Sequence, residues 1–406
     1  MKKTIAILGC MDTKGQEYAF IKKYIEKEGL ETLIIDIGII GKALLKPDIT
    51  NKEVACAAGK NFDKLIKKGS TREEFTSIMS EGAKKIVTKL ASDRKIDGII
   101  SCGGTQGTTM ATSSMRALPV GFPKVMVSTI ASGNTLNFVG IKDITMINSV
   151  ADILGLNRIT RKILREAAGA ICGMVKISAM EEEIDKKSLI AITNVGITTP
   201  GTVKAKEVLE NSGFETVVFH AVGTGGMAME SLIKEGQINA VLDFATIEVI
   251  QEMCGGILAS KPERMTNAAK MGIPQVVCPG GISCNTFSPH ESIPQRLKNR
   301  RYVRHNPMFT NVQNNAEEFK ALAVEQAKRV NIAKGPIKWF IPMKGFCSYS
   351  IKGQPFYDPE ANNIYVETLK KELREDIPVN VLDLDINDPI FATKVAESLI
   401  DMVRVP

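Results

Sequence analysis

Ile99-Ile-Ser-Cys-Gly-Gly-Thr-Gln-Gly-Thr-Thr-Met-Ala-Thr-Ser-Ser-Met-Arg116 decides how this chain is read. A mostly apolar run at 96–100 leads into Ser-Cys-Gly-Gly-Thr-Gln-Gly-Thr-Thr, and a helix-compatible segment covers 110–118. The order is strand, glycine-rich turn, helix start. Glycine lets a ligand come close to the backbone, since no Cβ stands in the way. The free amides and dipole of a helix N-terminus favour an anion. Thr105, Thr108 and Thr109 add hydroxyl donors. The stretch points to phosphate or nucleotide binding and names no reaction.

The same grammar runs outward from it. Residues 4–10 are β-rich, 10–15 read as a polar turn, 17–28 have helical spacing, and 31–36 form a second strand. Such a β-turn-α-β start opens a doubly wound sheet. Residues 41–70 are less regular, with a short helix expected at 51–60, and 71–92 make a long amphipathic helix. A strand and a Ser/Thr/Gly turn fall within 120–134, a strand at 144–147 and a helix at 157–174. The acidic run Glu181-Glu-Glu183 reads as solvated linker surface.

A weak internal repeat follows. Residues 5–15 align with 190–200, 29–36 with 213–220, 95–100 with 237–242, and 121–128 with 272–279, in the same order. The reading is α/β: two related, doubly wound, Rossmann-like domains with mostly parallel sheets, at 1–184 and 185–406. A C-terminal tail adds strands at 338–342 and 378–384 and helices at 358–373 and 388–403, which should complete the second sheet.

Composition agrees with this. A chain of 406 residues exceeds one ordinary core. Hydrophobic residues make up 44% and charged residues 24%, normal for a soluble globular protein. No apolar run approaches the ~20 residues of a membrane span. Met1-Lys-Lys-Thr-Ile-Ala-Ile-Leu imitates the start of a signal peptide, but Asp12, Lys14 and Glu17 interrupt it too early, so a cytoplasmic protein is expected. The eight cysteines include no CxxC pair, so neither a zinc site nor a dithiol motif is expected. The net charge of +7 is largely dispersed. Its densest cluster, Arg296-Leu-Lys-Asn-Arg-Arg-Tyr-Val-Arg304, reads as a phosphate-facing loop or solvated face ahead of a nucleic-acid surface.

Ligands of doubly wound sheets bind at the carboxyl ends of the strands. Three polar turns of the first half fall there: Asp12-Thr13-Lys14 with Gly15, Gly103-Gly104-Thr105-Gln106-Gly107-Thr108, and Ser128-Thr129 with Ser132-Gly133-Asn134. Lys14 can neutralise a phosphate, and Asp12 can hold Mg²⁺ or a ribose hydroxyl. There is no GxxxxGK[ST] and no GxGxxG. Asp36 ends the second strand, where it serves either a ribose or a turn. In the second half, Thr198, Thr199, Thr224, Gly225, Gly226, Gly280 and Gly281 are candidates for substrate binding. His220 and Asp243 are candidates for catalysis, with His220 equally readable as a hydrogen-bonded turn residue. Arg304, His305 and Asn306 form a further candidate cluster, and no GxSxG elbow is present.

Val127-Ser-Thr-Ile-Ala-Ser-Gly133, Val218-Phe-His-Ala-Val-Gly-Thr-Gly-Gly226, Pro355-Phe-Tyr-Asp-Pro-Glu-Ala361 and Ile386-Asn-Asp-Pro389 carry a resemblance over essentially the whole chain. It resembles the ATP-binding, virus-inhibitory domain of the tomato mosaic virus resistance protein and its bacterial relatives of unassigned function. The resemblance implies a two-domain α/β homodimer that binds ATP with Mg²⁺ through the three turns of its N-terminal domain. Gln106 departs from the family pattern Gly-Gly-Ser-Gly-Gly-Thr and either narrows the pocket or adds a contact. Two functions follow as expectations. One is an ATP-dependent enzyme acting on a small anionic metabolite held between the domains. The other is a non-catalytic ATP-binding module that controls a protein partner. A dinucleotide oxidoreductase is the weakest alternative for want of GxGxxG, and neither a membrane nor a nucleic-acid partner is expected.

Overall fold

Parallel strands covered on both faces read as continuous apolar runs, with successive side chains pointing to opposite layers. Residues 5–8, all four apolar, are such a run: Ile5 and Ile7 pack into one core while Ala6 and Leu8 pack into another. The computed structural model describes residues 2–180 and 187–404, and the acidic run at 181–183 lies outside them. The chain divides into two compact units, Met1–Ile184 and Asp185–Pro406.

The N-terminal unit runs β1 (Thr4–Gly9), α1 (Met11–Lys27), β2 (Glu31–Asp36), α2 (Asn51–Ala57), α3 (Phe62–Lys68), α4 (Arg72–Ser92), β3 (Gly98–Gly103), α5 (Thr105–Met115), β4 (Lys124–Ser128), α6 (Leu136–Val139), β5 (Thr145–Asn148) and α7 (Arg158–Ser178). The sheet is parallel, in the order β2-β1-β3-β4-β5. Helices α1 and α7 cover one face through Ile21, Ile25, Leu164 and Ile171, and α2, α4 and α5 cover the other through Val54, Met79, Val87 and Met110. The order reverses between β1 and β3, so their carboxyl ends flank the crevice where such sheets bind ligands.

The local reading changes in three places. The expected polar turn at 10–15 is already helical, because α1 begins at Met11; Lys14 departs from helical geometry (φ −131°, ψ 23°). The glycine-rich stretch contains no separate turn, since β3 runs through Gly103, Gly104 caps, and α5 starts at Thr105. The irregular 41–70 segment holds two short helices, α2 and α3, each started by a side-chain cap from Thr50 or Asn61.

The C-terminal unit runs β6 (Leu189–Asn194), α8 (Thr199–Asn211), β7 (Glu215–His220), α9 (Thr224–Lys234), β8 (Ala240–Ala245), α10 (Ile247–Cys254), α11 (Asn267–Met271), β9 (Gln275–Gly280), β10 (Cys284–Phe287), β11 (Tyr302–Asn306), β12 (Phe309–Gln313), α12 (Ala316–Val330), β13 (Ile337–Pro342), α13 (Pro359–Glu372), β14 (Val379–Leu382) and α14 (Pro389–Arg404). Its parallel sheet has the order β14-β13-β9-β8-β6-β7. The four repeat segments therefore occupy matching sheet positions: β1 with β6, β2 with β7, β3 with β8, β4 with β9. The tail completes the sheet as expected, β13 taking the place β5 has in the first unit and β14 adding a sixth strand. Not foreseen is the antiparallel sheet β10-β12-β11, inserted after β9. It carries the basic cluster, where Arg296 donates to the Cys254 carbonyl at 2.8 Å and Arg300 pairs with Glu318 at 2.5 Å.

Glycine positions separate close packing from freedom. A Cβ on Gly82 of α4 would lie 1.9 Å from the Val54 carbonyl oxygen of α2, whereas one on the exposed Gly169 of α7 would meet nothing within 4 Å. Gly82→Ala is expected to cost about 1–3 kcal/mol through forced separation of α2 and α4. Gly169→Ala is expected to gain up to ~1 kcal/mol of helix propensity. Urea unfolding of the full chain, following its first transition, checks the opposite signs.

Candidate functional site

A cavity of about 840 Å³ lies at the carboxyl edge of the N-terminal sheet. Its walls come from Asp12, Thr13 and Lys14 after β1, from Gly103 to Gly107 after β3, and from Arg72 and Thr76 of α4. The α5 N-terminus forms the part between. The first turn of a helix leaves backbone N–H groups that need partners. Elsewhere in this unit side chains supply them: Thr50, Asn61, Thr71 and Asn157 cap α2, α3, α4 and α7, and Asp36 accepts from the Met11 N–H of α1 at 3.0 Å. Helix α5 starts at Gly104 with no side-chain cap and no acidic residue in its first turn.

The glycines here are not ones the backbone demands. Gly104 has φ −79°, and a Cβ there would have Thr129 Oγ1 as its nearest neighbour at 3.8 Å. A Cβ on Gly107 would have only the Cys102 carbonyl oxygen, at 3.9 Å. Both positions have room for alanine within the protein.

Around this start the side chains are arranged with care. Asp12 Oδ2 accepts from Ile40 N–H at 2.8 Å and Gly41 N–H at 3.1 Å, while its Oδ1 is buried with no partner. A Cβ on Gly38 would lie 2.6 Å from that carboxylate, so the loop after β2 is shaped around it. Lys14 Nζ donates to the Ile153 carbonyl. Gln106 donates to Thr76 Oγ1 at 2.9 Å and accepts from Arg72 Nε, so its amide is turned onto α4 and held there. Burial, then the nearby Asp12 and Asp36, push the Cys10 thiol up to about 12, and burial does the same to Cys102. Burial thus favours the protonated thiol at both positions.

Other predicted residues lie elsewhere. Thr108 and Ser128 are buried beneath the cavity and bonded to each other, Oγ to Oγ, at 2.6 Å. Thr105 and Thr109 are exposed on the cavity wall, with Thr109 donating to the Thr105 carbonyl at 2.9 Å. The 128–134 loop follows β4 at the same edge but does not line the cavity. Thr129 sits beside Gly104, Ser132 and Gly133 are exposed, and the exposed Asn134 accepts from the Leu136 N–H at 3.0 Å. Asp36 takes its structural role: its buried carboxylate accepts from Met11 and Gly38 N–H groups, and burial raises it above the ordinary range. Arg72 and Thr76 were not foreseen. They meet Gln106 across 34 and 30 residues of chain, a pairing no local pattern announces.

In the C-terminal unit, Asp243 is fully buried and locked. Arg264 donates to both of its oxygens at 2.7 and 2.6 Å, and Thr193 Oγ1 adds a third bond at 2.9 Å. Arg264 also donates to Glu248 at 2.6 Å and lies 3.8 Å from Glu230. Glu248 in turn accepts from Gly223 and Gly226 N–H groups at 2.7 and 3.1 Å, filling the start of α9. The arrangement holds both Asp243 oxygens in hydrogen bonds inside the core. Thr198 is buried on the Val195 carbonyl, and Thr199 accepts from Asn194 at 3.1 Å. Cβ atoms on Gly225, Gly226 and Gly280 would meet His220, Glu248 and Phe244 within 2.2 Å, and Gly281 has φ +78°. These glycines serve packing and backbone shape. Thr224 and His220 are exposed, and His220 borders a separate small cavity.

The N-terminal domain of the uncharacterised protein family UPF0261 matches residues 3–180, and the C-terminal domain of that family matches residues 187–403. A UPF0261 protein of Clostridium tetani is 46% identical over 405 residues, covering all of both chains. The ToMV susceptible protein tm-1(GCR26) of Solanum lycopersicum is 29% identical over 97% of this chain and 55% of its own length. The UDP-N-acetylglucosamine 2-epimerase of Rickettsia bellii covers 99% of this chain and 96% of its own at 11% identity and a TM-score of 0.23, a likeness too distant to speak to ligands. Among the described residues, no helix is long and apolar enough to cross a membrane.

The Arg264 cluster makes stability depend on pH. Burial raises Glu230 from its ordinary 4.5 to about 7, against the pull of Arg264 and the Asn267 and Met265 N–H groups. Between these values the folded chain binds more protons than the unfolded chain, so stability from this group is full below pH 4.5 and is lost as pH rises through 7. Urea unfolding of the C-terminal unit's transition is expected to weaken between pH 5 and pH 8 in the parent, and Glu230→Gln is expected to flatten that slope.

Proposed function

The chain belongs to the uncharacterised protein family UPF0261, and from that premise we propose that its N-terminal unit binds ATP, with the phosphates seated on the start of α5. One observation carries the reading: an uncapped, acid-free helix start, floored by two glycines that the fold does not itself require, opens into a cavity at the sheet's switch point. The volume suits a nucleotide. Lys14 and Arg72 supply positive charge at the wall. ATP, among nucleotides, is the ligand implied by the sequence resemblance.

Mg²⁺ fits the same reading through Asp12. Its buried, unpartnered Oδ1 is an oxygen available to a hard cation. Among the described residues no three His, Cys, Asp or Glu side chains gather to hold a metal, so the remaining ligands would come from phosphate oxygens and water. Bound there, the ion would neutralise phosphate charge beside the Asp12 carboxylate.

Whether ATP is consumed divides two readings. An ATP-dependent enzyme needs a second, anionic substrate. A regulatory module needs only the bound nucleotide, and the burial of Asp243 in its bonds to Arg264 favours it by engaging one of the two catalytic candidates of the C-terminal unit.

Gly107→Ala adds a methyl group where the protein has space and the proposed phosphate does not. It is expected to raise thermal stability slightly while weakening ATP binding at least ~10-fold, a loss of about 1.4 kcal/mol. Lys14→Ala is expected to weaken it comparably without the stability gain. Calorimetric titration with ATP, with and without Mg²⁺, checks both; unaltered affinity in both variants overturns the site. Phosphate release during steady-state incubation distinguishes enzyme from module.

A further inference from the structure

A second cavity, of about 220 Å³, lies within the C-terminal unit. It stands over the carboxyl ends of β6 and β7, with Ile247 entering from the segment after β8, where the strand order of this sheet reverses. The inserted antiparallel sheet supplies the opposite wall. The floor is apolar: Val195, Ile197, Val222 and Ile247 follow the parallel strands, and Phe309 comes from β12.

The polar groups of this wall are biased one way. Among the described residues, no Asp, Glu, Lys or Arg lines it. Its amide oxygens are already used: Asn306 Oδ1 accepts from the Met308 and Phe309 N–H groups at 2.8 and 2.9 Å, and Asn311 Oδ1 accepts from Thr286 Oγ1 at 2.8 Å. Each of these side chains keeps its amide N–H₂ to donate. His305 shares its Nδ1 with the Tyr349 hydroxyl at 3.2 Å, leaving Nε2, and His220 adds a second ring. The wall thus offers donors without a competing carboxylate, over an apolar floor, beside the first turn of the helical run that begins at Gly196.

We propose that this cavity binds a small monocarboxylate with an apolar body, its carboxylate received by His220, His305, Asn306 and Asn311 and its hydrocarbon part by Val195, Ile247 and Phe309. The space equals about seven water molecules at ~30 Å³ each, which sets the size class at short branched or aromatic acids. A lone unpaired charge in an apolar pocket is costly, and the four polar side chains that line this one are what makes a carboxylate acceptable there. The site belongs to the C-terminal unit alone and does not rest on what the N-terminal unit binds.

The chain has three histidines, which makes the test direct. His290 stacks on Tyr302 at 4.5 Å and does not line the cavity, so it serves as an internal reference. Isovalerate titrated into the full-length protein without nucleotide is expected to shift the ring resonances of His220 and His305 and to leave those of His290 in place. Isovaleramide, of the same shape but uncharged, is expected to have no effect at equal concentration. His220→Ala, on an exposed side chain, and Asn311→Ser are each expected to weaken isovalerate at least tenfold. Gly107→Ala is expected to bind isovalerate as the parent does, which separates this site from the nucleotide reading. Silence of both histidines with isovalerate and benzoate at roughly 10 mM, a concentration that saturates even millimolar sites, overturns the proposal; so does equal binding of the amide.

Discussion

A parallel sheet sandwiched between helices gathers its helix N-termini at one edge. Both faces are covered by apolar side chains, as Ile5 and Ile7 against Ala6 and Leu8 make plain. The amino edge receives helix C-termini, whose dipoles and carbonyls repel anions. What remains is the carboxyl edge, where strands release their chains into loops and helices begin. Both cavities of interest lie there, one in each unit, and both straddle the reversal of strand order. The duplicated topology fixes that address twice, and local side chains decide what each address accepts.

This division explains how much could be read in advance. The strands of the parallel sheets, the switch of order and the repeat are legible because they rest on apolar runs and glycine stops, which are local. The residues 12–14 and 103–107 are legible for the same reason: each stretch follows a strand directly. The clamp on Gln106 is not, because Arg72 and Thr76 reach it from the preceding helix, 34 and 30 residues earlier in the chain. Arg264 is invisible for a related reason. Its neighbours in sequence, Glu263 and Met265, give no hint that its guanidinium will join Asp243 and Glu248, which come from the end of β8 and the start of α10. The inserted sheet was missed because its strands are short and half polar, and its basic residues read more naturally as loop.

Glycine, the residue that first drew attention to the chain, turns out to play two physical parts. In the C-terminal unit Gly225, Gly226 and Gly280 stand where backbone or a carboxylate comes within 2.2 Å of any added carbon. Their smallness is consumed by the protein itself. In the N-terminal unit Gly104 and Gly107 leave space that the protein does not fill. A motif of similar spelling thus means closure in one unit and openness in the other, and only the surroundings of each Cβ position distinguish them.

The same contrast bears on how each unit responds to its surroundings. Helix α10 opens with Glu248, bound to Arg264 and to the start of α9, so the charges of that edge are balanced inside the chain. Its matching helix, α5, carries no such internal counterpart. One repeat has taken an anion into the covalent structure, and the other has no acidic side chain in the corresponding first turn. By mass action, any solute bound at the start of α5 would add to the folding free energy of the first unit by an amount that rises with its concentration, whereas the Glu248 charge is present in the second at every concentration.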